Sequence, residues 1–205
     1  MFLSRPILLF LLLLPAAGAA ESPRQRLESF LSNLHTLKAR FQQQVIDTET
    51  NEVRLAHGTL YVSRPDRFRW EYEGDEGRYI VADGRTVWLV EPDLSQVSQR
   101  SQKAALAGTP AGLLAGKLDL DHDFRVEELG AREGTAWLKL TPRDERSPFE
   151  QILIGLDGEG VKRMEMADRF GQVSNLRFSH LQRNLPLPDK LFRFEPPPFY
   201  DILQQ

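Results

Sequence analysis

Residues 58–70 read GTLYVSRPDRFRW, which predicts a strand, a turn and the start of a second strand. The turn falls at Arg64-Pro65-Asp66, after which Phe68, Trp70 and Tyr72 alternate with charged residues. A period of two puts the aromatic side chains on one face of a strand and the charged ones on the other. One side of this hairpin is therefore apolar, as expected either of ordinary core packing or of the wall of a ligand site.

Similar alternation continues on both sides of this hairpin, and turn residues such as Asp83-Gly84 and Asp157-Gly158 punctuate it. About ten or eleven consecutive strands, with no helix between most of them, predict one antiparallel sheet curled on itself. The predicted strands are 37–45, Val53–Ser63, Arg67–Glu73, Arg78–Ala82, Thr86–Val90, Phe124–Leu129, Ala136–Thr141, Gln151–Leu156, Val161–Ala167, Val173–Leu181 and Leu191–Glu195.

A helix is predicted before the first strand. Ser22 can cap it, Pro23 suits the first helical position, and Gln25 completes a capping box. Apolar residues then recur at spacings of three and four, which predicts a helix packed on the sheet. These residues are Leu27, Phe30, Leu31, Leu34 and Leu37.

The run of strands is interrupted at Ser101–Gly116, which reads SQKAALAGTPAGLLAG. Thr109-Pro110 is a second helix start, a cap followed by a first-turn proline, and Gly108 precedes it. The segment therefore predicts two short helices rich in small apolar residues. They could form a lid over a concave sheet or a core helix that closes the barrel end, and composition favours neither.

Composition argues against several classes of function. The chain has 26 Lys and Arg against 29 Asp and Glu, so it lacks the basic surface that nucleic-acid binding needs. It has no cysteine, which excludes a thiol nucleophile and a lipid-anchored N-terminal cysteine. We find no nucleophile elbow or phosphate loop. Because the four histidines are isolated and the acidic run 119–123 lacks calcium-loop spacing, we expect no metal, no cofactor and no catalytic residue.

The N-terminus predicts a cleaved signal peptide. Arg5 supplies the positive region, Ile7–Leu14 the apolar run, and 16–20 the small residues of a cleavage site. A membrane anchor is the alternative, but spanning a bilayer takes about 20 apolar residues. We therefore expect residues 1–20 to be removed and one domain, 21–205, to reach the periplasm without being embedded in a membrane.

Four segments together resemble the periplasmic outer-membrane lipoprotein carriers, the LolA-like proteins. The first is Gly-x-Leu-x-Val-x-Arg-Pro-x-x-Phe-x-Trp, which begins at Gly58. The others are 81–88, the Thr109-Pro110 helix start with Leu113-Leu114-Ala115, and 192–197. They occur in order along nearly the whole chain.

The resemblance implies an unclosed antiparallel β-barrel with a helical lid over an apolar cavity. In the family, the arginine of the Arg-Pro pair bonds to the lid backbone, which would make Arg64, with Pro65, the lid lock. The cavity residues implied are Phe68, Trp70, Trp88, Leu113 and Leu114. Phe68 is also implicated in contact with a release complex.

The partners implied are lipoproteins, bound by their acyl chains, an ATP-driven release complex in the inner membrane, and a receptor in the outer membrane. Two alternatives stay open. A lipid-sensing regulatory module of the same fold would be expected to carry a further domain. A lipid hydrolase would release fatty acid. The tail after Pro198 is shorter than the C-terminal extension of some family members.

We predict that the protein recovered from the periplasm begins at Ala20 or Glu21, because the small-residue site follows a short apolar run. Intact-mass measurement of the purified protein checks this. A membrane-bound form that retains Met1 would contradict it.

Overall fold

The computed structural model describes residues 21–74, 77–116 and 119–204, so the predicted signal segment, 1–20, lies outside the described residues. The elements, in chain order, are α1 (Pro23–Ser32), β1 (Thr36–Asp47), β2 (Val53–Ser63), β3 (Arg67–Glu73), β4 (Tyr79–Asp83), β5 (Thr86–Glu91), β6 (Gln96–Ser101), α2 (Gln102–Leu106), α3 (Pro110–Ala115), α4 (Leu120–Asp123), β7 (Phe124–Arg132), β8 (Thr135–Pro142), β9 (Phe149–Asp157), β10 (Gly160–Asp168), β11 (Gln172–Arg183) and β12 (Asp201–Gln204). Within these ranges no helix is long and apolar enough to cross a membrane.

The strands form a single curled sheet in the order β12-β6-β5-β4-β3-β2-β1-β11-β10-β9-β8-β7. Neighbours are antiparallel except β12, which runs parallel to β6. β7 and β12 are the two edges of the order, so the sheet curls without closing. The predicted fold is confirmed: a mainly β chain with an unclosed barrel, an N-terminal helix and short helices inserted between strands.

Helix α1 begins with the predicted capping box. The Ser22 hydroxyl accepts from the Gln25 backbone N–H at 3.3 Å, and the Gln25 side chain accepts from the Ser22 N–H at 3.0 Å. The helix packs against β7–β10 through its apolar stripe. Phe30 lies over Gly160, where a Cβ would stand 2.3 Å from the ring. The helix ends at Ser32, so the stripe continues into the connection and β1.

Three strand assignments differ from the sequence prediction. β6 was not predicted, because only Val97 among its six residues is apolar. β12 was not predicted either, since all four of its residues are exposed and its pairing with β6 defines it. The predicted strand Leu191–Glu195 is wrong: the chain makes a 3₁₀ turn at Asp189–Phe192 that packs against β3 and β4. The alternation of apolar residues there reflects packing on the sheet.

Both faces of the sheet are partly covered. The main core lies on the concave face, where α1, α2 and α3 pack. On the outer face of β3–β6 the C-terminal segment buries a second, smaller apolar cluster. Its centre is Phe192, 1% exposed. Phe194 extends this cluster, with its ring centroid 6.0 Å from that of Tyr79.

Gly58 makes room for the ring of Phe41. A Cβ at Gly58 would stand 1.8 Å from the Glu71 carbonyl oxygen and 2.8 Å from the Phe41 ring. Phe41 in turn packs on Trp70, with ring centroids 4.5 Å apart. The glycine that opens the 58–70 motif therefore supports the aromatic residues at its other end.

We expect Gly58→Ala to destabilise the protein by about 1–3 kcal/mol, the usual range for overpacking. The midpoint of urea unfolding measures the change. Gly158→Ala is the matched control, because a Cβ there meets nothing within 4 Å. Equal midpoints for the two variants would contradict the steric role of Gly58.

Candidate functional site

A cavity of about 450 Å³ lies on the concave face between the sheet and helices α2 and α3. Its walls are mostly apolar and come from both halves of the sheet and from both helices. They include Phe68, Ile80, Val87, Leu89, Leu106, Pro110, Ala111, Leu114, Phe149, Met164, Met166 and Leu176. Gln43, Trp70, Tyr72, Ser98 and Arg100 add polar groups to the lining. A cavity of this size and character is typical of sites for apolar small molecules.

Phe68, Trp70 and Leu114 are the predicted cavity residues that line it. Phe68 is 4% exposed and Leu114 is 3% exposed, so both also belong to the core. Trp70 packs between Phe41, at 4.5 Å, and Phe178, at 6.3 Å between ring centroids. The same residues therefore belong both to the packed core and to the wall of the cavity, the two alternatives predicted for this face of the hairpin.

Trp88 does not line the cavity, which corrects its predicted position. It pairs with Val81, which pairs with Arg69, so these residues share the face opposite to Trp70. The Trp88 ring lies 5.6 Å from that of Phe194, and its indole N–H donates to Asp83 at 3.3 Å. Trp88 therefore helps to hold the C-terminal segment on the outer face.

Leu113 is also absent from the cavity walls. It is buried, at 6% exposure, and lines a separate cleft with Asp66, Gly84 and Gln102. Leu114 lies about one helical turn beyond Pro110 and Ala111, which line the cavity, whereas Leu113 is rotated about 100° from Leu114 around the helix axis.

The two helices of the insert approach each other closely because their residues are small. A Cβ at Gly112 would stand 2.2 Å from the Leu106 carbonyl oxygen. As predicted, α2 and α3 are separated at Gly108, and the Thr109 hydroxyl caps α3 by accepting from the Gly112 N–H at 3.1 Å. Ser147 donates to the Gly108 carbonyl at 3.1 Å and ties this joint to the β8–β9 loop.

The C-terminal end of α3 is bound by the turn between β2 and β3, residues 64–66, here named the latch turn. Arg64 donates to the carbonyl oxygens of Leu114, at 3.5 Å, and Gly116, at 2.5 Å. The Asp66 N–H donates to the Ala115 carbonyl at 2.7 Å. These carbonyls have no partner within the helix, so the latch turn supplies their donors.

Burial lowers the pKa of the Arg64 guanidinium, and the nearby Asp66 carboxylate opposes this effect. The group remains charged at neutral pH because an arginine pKa lies so far above it. Its hydrogen bonds to the lid are therefore charge-assisted. Pro65, the other predicted lock residue, lies in the latch turn after a cis peptide bond.

Gln102 was not predicted, yet it binds the other end of the insert. It is 5% exposed and opens α2. Its amide nitrogen donates to the Asp66 carbonyl, and its amide oxygen accepts from the Gly84 N–H at 3.0 Å. The sequence feature that could have identified Gln102 is its position as a single glutamine at the start of an insert rich in small apolar residues. The latch turn therefore holds both helices, α3 directly and α2 through Gln102.

Two other features are less suited to an apolar ligand. A concavity of about 1100 Å³ is lined mainly by polar and charged side chains of β1, β2, β10 and β11. The acidic run 119–123 forms α4, where Asp119 caps the helix and Asp121 pairs with Arg24 at 2.6 Å. Among the residues that the structure describes, no group of three potential metal ligands lies together.

Comparison with known sequences agrees with this geometry. The sequence profile of the family "Outer membrane lipoprotein carrier protein LolA" matches residues 32–195. A protein of Methylococcus capsulatus named outer-membrane lipoprotein carrier protein is 37% identical over 97% of this chain and 99% of its own length. A protein of the same name from Nitrosospira multiformis is 39% identical over 87% of each chain.

Solved structures share the fold at low sequence identity. A LolA superfamily protein from Nitrosomonas europaea has a TM-score of 0.50 and 16% identity, covering 84% of this chain and 98% of that one. A DUF1329 family protein from Desulfovibrio piger has a TM-score of 0.56 and 11% identity, covering 83% and 94%. With the profile match over most of its length, the chain belongs to the LolA family of outer membrane lipoprotein carrier proteins.

Proposed function

We propose that this protein is a periplasmic carrier that binds the acyl chains of lipoproteins and delivers them to the outer membrane. The observation that carries the proposal is the apolar cavity under a lid latched by hydrogen bonds. The names of the relatives, outer-membrane lipoprotein carrier proteins, support the same cargo and the same compartment. No catalytic step is part of the proposal.

The lid has to open for loading. At about 450 Å³ the closed cavity falls in the lower half of the range for drug-sized ligands, about 300–1000 Å³. A cargo with several acyl chains needs more room than this. The closed state therefore competes with cargo and lowers its apparent affinity.

The energetics favour a carrier that is loaded by a partner. A lipoprotein with three acyl chains has on the order of 45 methylenes, worth about 0.8 kcal/mol each when buried, or about 35 kcal/mol. Non-covalent affinities saturate near about 18–21 kcal/mol, so the carrier cannot extract such cargo from a membrane unaided. We propose that an ATP-driven inner-membrane complex drives loading and that an outer-membrane receptor accepts the cargo.

We expect Phe68→Glu to weaken binding of an environment-sensitive apolar dye by at least about tenfold, because a carboxylate at the cavity wall is costly to desolvate. A fluorescence titration measures this, and urea unfolding checks that the fold stays cooperative. Phe170→Glu, at a side chain that is 76% exposed, is the control and should bind normally. If Phe68→Glu no longer unfolds cooperatively, Phe68 acts as a core residue and its role as a ligand contact is contradicted.

We expect Arg64→Leu to raise the apparent affinity for acyl cargo by roughly 10- to 150-fold. Hydrogen bonds of a charged group contribute about 1.5–3 kcal/mol. Without them the closed state of the lid, which competes with cargo binding, is less stable. Arg64→Lys should act similarly, because an ammonium lacks the planar fork. Gln102→Leu should act in the same direction by freeing α2.

A two-step transfer assay, loading and then release to purified receptor, checks these variants. Loading should proceed, whereas release should slow because closure no longer helps to expel the cargo. Arg69→Leu is the control, since Arg69 pairs with Glu71 and lies on the outer face. An Arg64→Leu protein that loads poorly and releases normally would rule out the lock.

A further inference from the structure

Both sulfur atoms that follow Met1 lie in the wall of the apolar cavity. The chain has no cysteine, and its three methionines are Met1, Met164 and Met166. Met164 and Met166 are two residues apart in β10, so their side chains share one face of the strand, and both line the cavity. An oxidant that attacks sulfur beyond the predicted signal segment therefore meets its target at the cavity wall.

The two methionines differ in how far they are covered. Met164 is 0% exposed, and its partners on the neighbouring strands, Leu176 and Ile154, are buried apolar residues. Met166 is 6% exposed and lies two residues nearer the end of β10. Because an oxidant has to contact the sulfur, Met166 is the methionine that a small oxidant in the cavity reaches first.

Hydrogen peroxide is an oxidant that fits this site. The cavity of about 450 Å³ has room for it, since a water molecule, which is only slightly smaller, takes about 30 Å³ in the liquid. The thioether sulfur attacks one peroxide oxygen, an S–O bond forms, the O–O bond breaks, and the other oxygen leaves as water. The sulfur loses two electrons and the peroxide gains them. The product, methionine sulfoxide, is polar where the thioether was apolar.

We propose that Met166 is an oxidation site through which peroxide lowers the affinity of the carrier for acyl chains. A sulfoxide oxygen at the cavity wall has to lose its water when an acyl chain covers it, and this desolvation costs free energy. The inference rests on the proposed function and adds regulation to it. An empty carrier is inactivated by peroxide, whereas a bound chain covers Met166 and protects it. Enzymatic reduction of the sulfoxide makes the change reversible.

The test treats the purified full-length carrier with hydrogen peroxide and removes the peroxide before any measurement. Mass spectrometry of its peptides locates the added oxygen, and titration with an environment-sensitive apolar dye gives the affinity. We expect Met166 to gain oxygen before Met164 and the dye affinity to fall by about tenfold, because the sulfoxide has to be desolvated. Dioctanoylglycerol present during the treatment should slow the oxidation of Met166.

Two variants separate the methionines, and each is scored by the ratio of its dye affinity before treatment to that after treatment. Met166→Leu has no thioether at the exposed position, so its ratio should stay close to one. Met164→Leu is the matched control, because it retains Met166, and its ratio should equal that of the wild type. Exchange of Met for Leu nearly conserves volume, and cores tolerate it well.

The inference is overturned, with the carrier function left standing, if Met166→Leu loses as much affinity as the wild type. It is also overturned if Met166 resists peroxide that oxidises free methionine, or if its oxidation leaves the affinity unchanged. Unfolding in urea shows whether the oxidised protein is still folded, and loss of its cooperative transition would make the oxidation a lesion of the core. Failure of the untreated wild-type protein to bind the dye contradicts the proposed function itself.

Discussion

The last carbonyl groups of a short helix need donors from outside the helix, and this constraint connects the lid of this protein to its sheet. Helix α3 has only six residues. Arg64 and Asp66 of the latch turn supply donors to its carbonyl end, and the Asp66 carbonyl also receives the side chain of Gln102 from α2. One turn therefore bonds to both helices of the insert. These few hydrogen bonds act together with apolar packing, since Leu114 and Ala115 of α3 are buried in the core.

Most of the sheet could be predicted from side-chain alternation, because a strand with one buried face must alternate. The bounds predicted for Val53–Ser63 and Arg67–Glu73 are those of β2 and β3. The strands β6 and β12 could not be predicted in this way. β12 is an edge strand with four exposed residues, and β6 has one apolar residue, so their pairing depends on backbone groups that leave no trace in the sequence.

The site was predictable only in part, for similar reasons. Phe68 and Trp70 alternate with charged residues, which identifies their face. Trp88 lies between Val87 and Leu89 in a run that is apolar on both faces, so alternation could not tell which face is concave. Gln102 bonds to a backbone carbonyl 36 residues away and to an N–H 18 residues away, and neither partner is recognisable from its side chain.

The two edges of the open sheet have a consequence for solubility. An unclosed barrel exposes backbone groups that could pair with a strand of another chain and begin aggregation. Here β12 covers the edge of β6. At the opposite edge of the sheet, β7 has an irregular register between Glu128 and Gly130 and carries four charged side chains. The short strand β12 at one edge and the charged, bulged strand β7 at the other discourage such association. The barrel can therefore stay open, with room to widen around a ligand, without offering a flat edge to its neighbours.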